Sequence, residues 1–300
     1  MPHSRRTMEH PRQSPATLGA MALAVGVLLL GGAIPAEAQL NATAHDDGWV
    51  LAAAHTPGRE GSIWRTDVWV RFVSSVTDDT ELTFYFNPTE QDNTLATGQV
   101  VTLNSGQEVY HFEDVVFDFL GDDGEDWLGA IHYVANANVQ VWARIYNIDE
   151  DQTESFGQLV VGIPTSDMSP YTDPFDADRQ QWMVAMQHTG DERFRVNVGV
   201  VNPTGVPTRY LVRMFDETNN NPPPGSSVSV EVDVPPFSMV QLGDPFADVN
   251  GGDWSNYQIR VETDTPDGGA FAYASVVDNA TNDAFFVRGV KLLTPDAVAD

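Results

Sequence analysis

Apolar and polar residues alternate with a period of two in several short runs of this chain. Leu82, Phe84 and Phe86 are separated by Thr83 and Tyr85, and Trp64-Arg65-Thr66-Asp67-Val68-Trp69-Val70 places Thr66, Val68 and Val70 on one side and Arg65, Asp67 and Trp69 on the other. Successive side chains of a strand point to opposite faces, so each run predicts one face buried beneath a second sheet. Runs 50–55, 64–73, 81–86, 99–103, 127–134, 139–148 and 156–163 have this character and are divided by clusters of Gly, Pro, Asp and Asn. That spacing of short strands and turns is the pattern of a β-sandwich. Residues 135–138, Ala-Asn-Ala-Asn, are expected to form a hairpin-type connection between two of the strands. One stretch departs from the period: within 111–120 the apolar positions are Phe112, Val115, Val116, Phe119 and Leu120. Their helical spacing predicts about two turns of helix crossing one end of the sandwich.

The same order of runs then recurs. Phe194-Arg195-Val196-Asn197-Val198-Gly199-Val200 is a near copy of the stretch that begins at Trp64, and runs 184–188, 210–215, 229–234 and 270–278 follow at a nearly constant offset. Trp127 and Trp254 correspond, each preceded by an aspartate. Recurrence of so many segments in order is the signature of tandem units. The expected fold class is therefore all-β: two tandem immunoglobulin-like antiparallel β-sandwiches related by internal duplication, with one short helix in the first. The expected boundaries are a flexible leader at 39–48, a first sandwich at 49–164, a linker at 165–181 where Pro164, Pro170 and Pro174 interrupt any ladder, a second sandwich at 182–293 and a tail at 294–300. Tyr171 and Phe175 are expected to dock the linker on one domain, and the proline-rich stretch 219–227 is a loop insertion in the second unit.

Residues 1–38 have the form of a removable export signal. Arg5, Arg6 and Arg12 precede the uncharged run 18–34, and Ala36-Glu37-Ala38 supplies a small-residue cleavage site. The run is only about as long as a minimal membrane span, so a retained anchor is the competing reading, and the Ala-x-Ala ending favours cleavage. No later run approaches the ~20 apolar residues of a membrane helix. The formal net charge is −28, the acid is spread along the chain, and Lys291 is the sole lysine. Such a surface is a poor match for nucleic acid or anionic membranes. With no cysteine, an exported chain must rely on its cores for stability rather than on disulfides.

Candidate chemistry is sparse. Arg65 with Asp67, and Arg195 with Asn197, share a strand face, but the second copy has lost the carboxylate, which favours a surface or interdomain ion pair over a ligand grip. His55 and His188 recur at the end of the first strand of each unit, without the second histidine of a metal site or a nucleophile motif nearby, so a turn-capping role is expected. The acidic loops are the better prospect. Asp122, Asp123 and Asp126, with their counterparts Asn250 and Asp253, place oxygen ligands around glycines just before a tryptophan, which suits calcium as a weak candidate. The same residues also serve tight turns. Of the seven tryptophans, Trp64, Trp127 and Trp142 are expected in the core, while Trp69 stands where the second copy has Gly199. A sugar-stacking role is the alternative for those that reach the surface.

Four motifs carry a resemblance: Trp64-Arg65-Thr66-Asp67, Asn202-Pro203, Tyr146-Asn147 with Phe156-Gly157-Gln158, and Ala274-Ser275-Val276-Val277-Asp278-Asn279. With them, residues 49–291 resemble a duplicated β-sandwich region of uncharacterised exported bacterial proteins. The chain departs from that pattern at Ser74-Ser75, where Asn-Pro would sit, and at Val196-Asn197, where Thr-Asp would. The resemblance implies a framework and brings no functional residues with it. The resulting expectation is a secreted or cell-surface interaction or structural module that is not an enzyme, has no cofactor apart from the calcium candidate, and binds an unknown protein or glycan. A glycan-binding protein or secreted hydrolase, with its site at the interdomain cleft or loop ends, is the alternative.

Overall fold

β-branched and aromatic runs that alternate with polar residues fold as strands because one face can be buried while the backbone groups pair sideways. The computed structural model describes residues 42–57, 63–72, 79–120, 126–148, 155–170, 180–191, 193–216, 229–281 and 283–291. It is an all-β, sandwich-like fold of antiparallel strands. The strands of the first half are β1 (His45–Pro57), β2 (Ile63–Phe72), β3 (Thr80–Pro88), β4 (Gln99–Leu103), β5 (Val109–Phe112), β6 (Trp127–Ile148), β7 (Ser155–Val161) and β8 (Ile163–Pro164). A six-residue helix, α1 (Val115–Leu120), follows β5. After β9 (Ser169–Pro170), the second half supplies β10 (Gln181–His188), β11 (Phe194–Asn202), β12 (Thr208–Asp216), β13 (Ser229–Val234), β14 (Ser238–Leu242), β15 (Trp254–Thr263), β16 (Gly269–Asp278), β17 (Ala284–Arg288) and β18 (Val290–Lys291).

Strand β6 organises the first half. Its residues 127–135 pair with β1 and β3, whereas residues 139–148 pair with β2 and β7. One strand therefore runs through two layers, β4-β3-β6-β1-β8 and β5-β2-β6-β7. In the second half the two layers are separate sheets, β13-β12-β15-β10-β18 and β14-β11-β16-β17, and residues 264–268 form the corner between them. The pairing order is the same in both halves, with β15 and β16 standing where the two parts of β6 stand. It differs from the order of immunoglobulin domains, in which the first strand lies beside the second. Here β1 lies along the first part of β6 and pairs with β2 in the ladder only at Thr56 and Pro57.

The two halves share buried contacts. One cluster gathers Val198, Val200, Ala270, Ala272, Ala274 and Val276 with the interior of the second half. The alternate residues of the same strands, Val201, Met239, Phe271 and Tyr273, join the first half's core together with Phe286. The sheet β14-β11-β16-β17 is thus covered on both faces, and β14 reaches β3 and β6 while β11 and β16 reach β1. Polar contacts close the seam: Glu90 N–H donates to Met239 O at 3.1 Å, Asn93 Nδ2 to Phe237 O at 2.9 Å, and Ser238 Oγ to Pro88 O at 3.0 Å. The described residues, from 42 to 291, cluster as one compact unit.

Four sequence expectations change. Residues 45–48, assigned to a flexible leader, open strand β1. The hairpin at 135–138 is absent because β6 continues through it, with Asn136 Oδ1 accepting from Glu81 N–H at 3.1 Å. The helix is shorter than 111–120, since Val109–Phe112 pairs with β2 as a strand. Trp142 lies on the outward face of β6, half-exposed, because its neighbours Val141 and Ala143 take the inward positions. Trp64 and Trp127 are partly buried against the core. The expected loop insertion at 219–227, together with Tyr171 and Phe175, lies outside the described residues, and no described helix is long and apolar enough to cross a membrane.

Shared packing makes two predictions for chemical unfolding. Phe271→Ala removes a ring that is 1 % exposed from the seam and should cost about 3–5 kcal/mol. The parent chain should also lose far-ultraviolet and tryptophan signals in one coincident transition, and two separated transitions would contradict a shared core.

Candidate functional site

Alternation places Arg65, Asp67, Trp69 and Arg71 of β2 outward, opposite Tyr146, Arg144, Trp142 and Gln140 of β6 in direct register. His111 of β5 extends the same row, because it pairs with Trp69. The result is an outward sheet face with two tryptophans, three arginines and a histidine, the counterpart of the second-half face that is buried against the first half. Trp69 and Trp142 belong to neither core cluster. The Trp69 indole and the His111 imidazole stack at 4.4 Å between centroids and 7° between planes, so one indole face is already covered. Arg144 sits over the Tyr146 ring at 4.7 Å.

A polar network anchors one end of this face. Asp67 accepts from Asp114 N–H at 3.0 Å and from Tyr146 Oη at 3.1 Å, and His111 Nε2 lies 3.2 Å from its other oxygen. Burial first, and then the Asp67 charge, push the Tyr146 hydroxyl up to about 12. Asp114 in turn lies 3.0 Å from His55 Nδ1, with the Arg65 guanidinium 3.5 Å away at ion-pair distance. Such contacts hold side chains in place more than they stabilise the fold.

The pair His55 and Asp114 has a counterpart in His188 and Asp244. His188 Nε2 lies 2.9 Å from Asp244 Oδ2, and its Nδ1 lies 2.6 Å from Gly252 O. Both aspartates follow the corresponding strands β5 and β14 and adopt positive φ, +43° at Asp114 and +47° at Asp244. Aspartate tolerates this left-handed conformation better than most residues. Both histidines are therefore held across the end of the sandwich by a long-range carboxylate, and His188 also caps the turn that ends at Gly252. Sequence reasoning missed both partners, because they are 59 and 56 positions away and no local pattern marks them.

A second cluster lies at the start of β1. His45 Nδ1 donates to Thr43 O at 2.6 Å, and its Nε2 accepts from the Tyr133 hydroxyl. Burial pulls His45 below its ordinary value, against the opposing pull of Thr43 O and the carboxylates of Asp167, Asp47 and Asp46. His132 stacks on Trp49 at 4.6 Å and meets Asp47 at 2.9 Å, and that contact, with Thr165, holds the Asp47 carboxyl below its usual range. Hollows open elsewhere on the described surface. One of about 350 Å³ is floored by Phe84, Phe86 and Trp127 beneath the loop that carries Asn93. Another of about 710 Å³ is lined by Asp92, Arg209, Asp233, Asp264 and several prolines, and Arg209 is bonded to Asp233 within it at 2.9 Å.

The calcium candidates are described only in part. Asp122 and Asp123 fall outside the described residues, and Asp126 is exposed just before β6. Asp253 Oδ1 accepts from Gly190 N–H at 2.7 Å. Asn250 lies in the short turn Val249–Gly252, where Gly251 and Gly252 have φ of +73° and +91° and so require glycine. Among the described residues no group of three or more His, Asp or Glu side chains is placed to hold a metal ion.

Neutral His45 is favoured by folding, so its contribution is complete above the unfolded value of 6.5 and is lost as pH falls through that value toward the lower folded one. Stability measured by urea unfolding should therefore decline between about pH 7 and pH 5, and His45→Gln should flatten that decline; an unchanged slope would contradict the assignment. No protein-family model matches this chain, and neither a curated protein nor a solved structure matches it.

Proposed function

We propose that this chain is an exported, non-enzymatic contact module, built as two copies of one β-sandwich unit, whose binding surface is the outward face of β5, β2, β6 and β7. The observation that carries this reading is the unequal use of equivalent faces. In the second half, Gly199, Val201, Phe271 and Tyr273 occupy the face and are buried against the first half. In the first half the same face carries Trp69, Trp142, Arg71 and Arg144 and is partly open to solvent. Duplication is supported by the shared pairing order and by the two aspartates of positive φ that hold His55 and His188. Large half-exposed aromatics beside arginine are the composition of contact surfaces rather than of ordinary protein exteriors. Action by contact rather than catalysis is favoured because the histidines and carboxylates beside the face are engaged with one another.

A glycan reading draws on the paired tryptophans Trp69 and Trp142.

Two measurements test the proposal. Trp69→Ala and Trp142→Ala should each cost less than about 2 kcal/mol in denaturant unfolding, against about 3–5 for a core tryptophan. Core-sized losses at both positions would make the face a framework and overturn the reading. A glycan array probed with the chain from Gln39 onward separates the two kinds of partner: a hit abolished by Trp142→Ala assigns the face to sugars, and a blank array assigns it to protein.

A further inference from the structure

Beneath the loop that joins β3 to β4 lies a hollow that the contact face does not use. It is bounded by β3, the start of β4 and the first residue of β6, whereas the Trp69 face lies on β5, β2, β7 and the second part of β6. Sites that enclose a small molecule begin at about 300 Å³, and this hollow measures about 350 Å³. Its floor is three aromatic rings, Phe84, Phe86 and Trp127, with Phe86 and Trp127 edge to face at 6.5 Å and 87°. Amides and a hydroxyl form the rim, from Gln91, Asn93, Gln99 and Thr97. None of the residues that line it is ionisable, in a chain with 43 acidic and 15 basic side chains. An ion entering such a site would lose water without gaining a counter-charge, so the lining selects an uncharged guest.

The hollow is held open by the loop above it, which is fastened to both halves. Thr89 N–H donates to Leu128 O at 2.8 Å, Thr89 Oγ1 to Met239 O at 2.7 Å, and Asn93 N–H to Pro236 O at 3.0 Å. A guest therefore meets a site that needs little ordering. The second half treats the comparable ring differently. Trp254 opens β15 as Trp127 opens β6, yet it is 4 % exposed, stacks on His188 at 5.5 Å, and donates from Nε1 to Phe246 O at 3.2 Å. Trp127 is only partly buried and faces the hollow as part of its lining.

Asn93 adds a direction to this apolar floor. It is 9 % exposed, and its Nδ2 donates to Pro88 O, Gln91 O and Phe237 O at 2.9, 3.1 and 2.9 Å, which fixes the amide. Its Oδ1 accepts from no described residue. Asn202 also donates from Nδ2 to three carbonyls, but its Oδ1 is satisfied by Thr204 N–H at 3.0 Å. A largely buried acceptor held in one orientation calls for a donor.

We infer that the hollow binds a small uncharged aromatic molecule carrying an O–H or N–H group, its ring against Phe86 and Trp127 and its donor on Asn93 Oδ1. This site goes beyond the contact reading and stands on different strands, so neither depends on the other.

The test is fluorine NMR of 4-fluorophenol with the chain from Gln39 onward. The probe's resonance should shift saturably, with a Kd of about 1 mM or tighter, a value within reach of a one-ring ligand. 4-Fluoroanisole keeps the ring and lacks the donor, and should bind at least ~5-fold more weakly. 4-Fluorobenzoate, which is charged, should show no saturable shift. Ala96→Trp fills the hollow from the loop and Thr97→Trp fills it from the exposed rim, so each should abolish the shift while leaving the denaturant-unfolding transition in place. Two variants keep the test decisive if one of them misfolds. No saturable shift in the parent overturns the inference, as does a shift that survives both substitutions. Equal binding of 4-fluoroanisole overturns the assignment of Asn93, and binding of 4-fluorobenzoate overturns the uncharged class.

Discussion

A sheet covered on both faces cannot offer a polar side to water, and the rest of this molecule depends on how β14-β11-β16-β17 meets that constraint. Every residue of β16 from Gly269 to Val277 is buried. Alternation survives as a difference in size rather than polarity. Ala270, Ala272 and Ala274 face the second half's own core, and Phe271 and Tyr273 face the first half. Tyr273 is accommodated because Gly199 stands opposite, where a Cβ would lie 2.0 Å from its ring. The hydroxyl then meets Gln241 Oε1 at 2.9 Å, so the polar end of a buried ring is satisfied. The pair Gly199 and Tyr273 occupies the register position that Trp69 and Trp142 hold in the first half. Two large rings suit an open face, and a glycine with one ring suits a covered one.

Strand existence was legible in the chain wherever one face alternates. The runs at 81–86 and 229–234 fall within β3 and β13 because their periodicity reports burial directly. Connectivity was not legible, since two strands with the same period can pair in several orders. Residues 135–138 misled because alanine and asparagine are compatible with a turn, while the strand's continuity is decided by neighbours far away in sequence, β3 on one side and β2 on the other. Trp142 misled in the opposite sense: size and apolarity suggested the core, whereas parity with Val141 and Ala143 sends it outward. The aspartates that hold His55 and His188 had no local signature at all, since their role comes from positive φ and long-range approach.

Charge gains meaning once the faces are known. A strongly acidic chain disperses its copies by repulsion. On the Trp69 face, however, arginines are gathered on alternate positions of β2 and β6. The network of Asp67, His111, Tyr146 and Asp114 keeps the rim of that face ordered without neutralising it.

The long strand β6 gives the two halves different freedom to vary. In the first half a single covalent strand serves both layers, so inserting one residue near 135–138 would invert every side chain on one side of the insertion, exchanging core for surface. In the second half the corner at 264–268 interrupts the chain between β15 and β16 and can absorb a change of length without shifting either register. Of two halves with one pairing order, the first is locked in length and the second adjustable. Descendants of this chain have room to reshape the corner beside Asp264, whereas the path of β6 is confined to substitution.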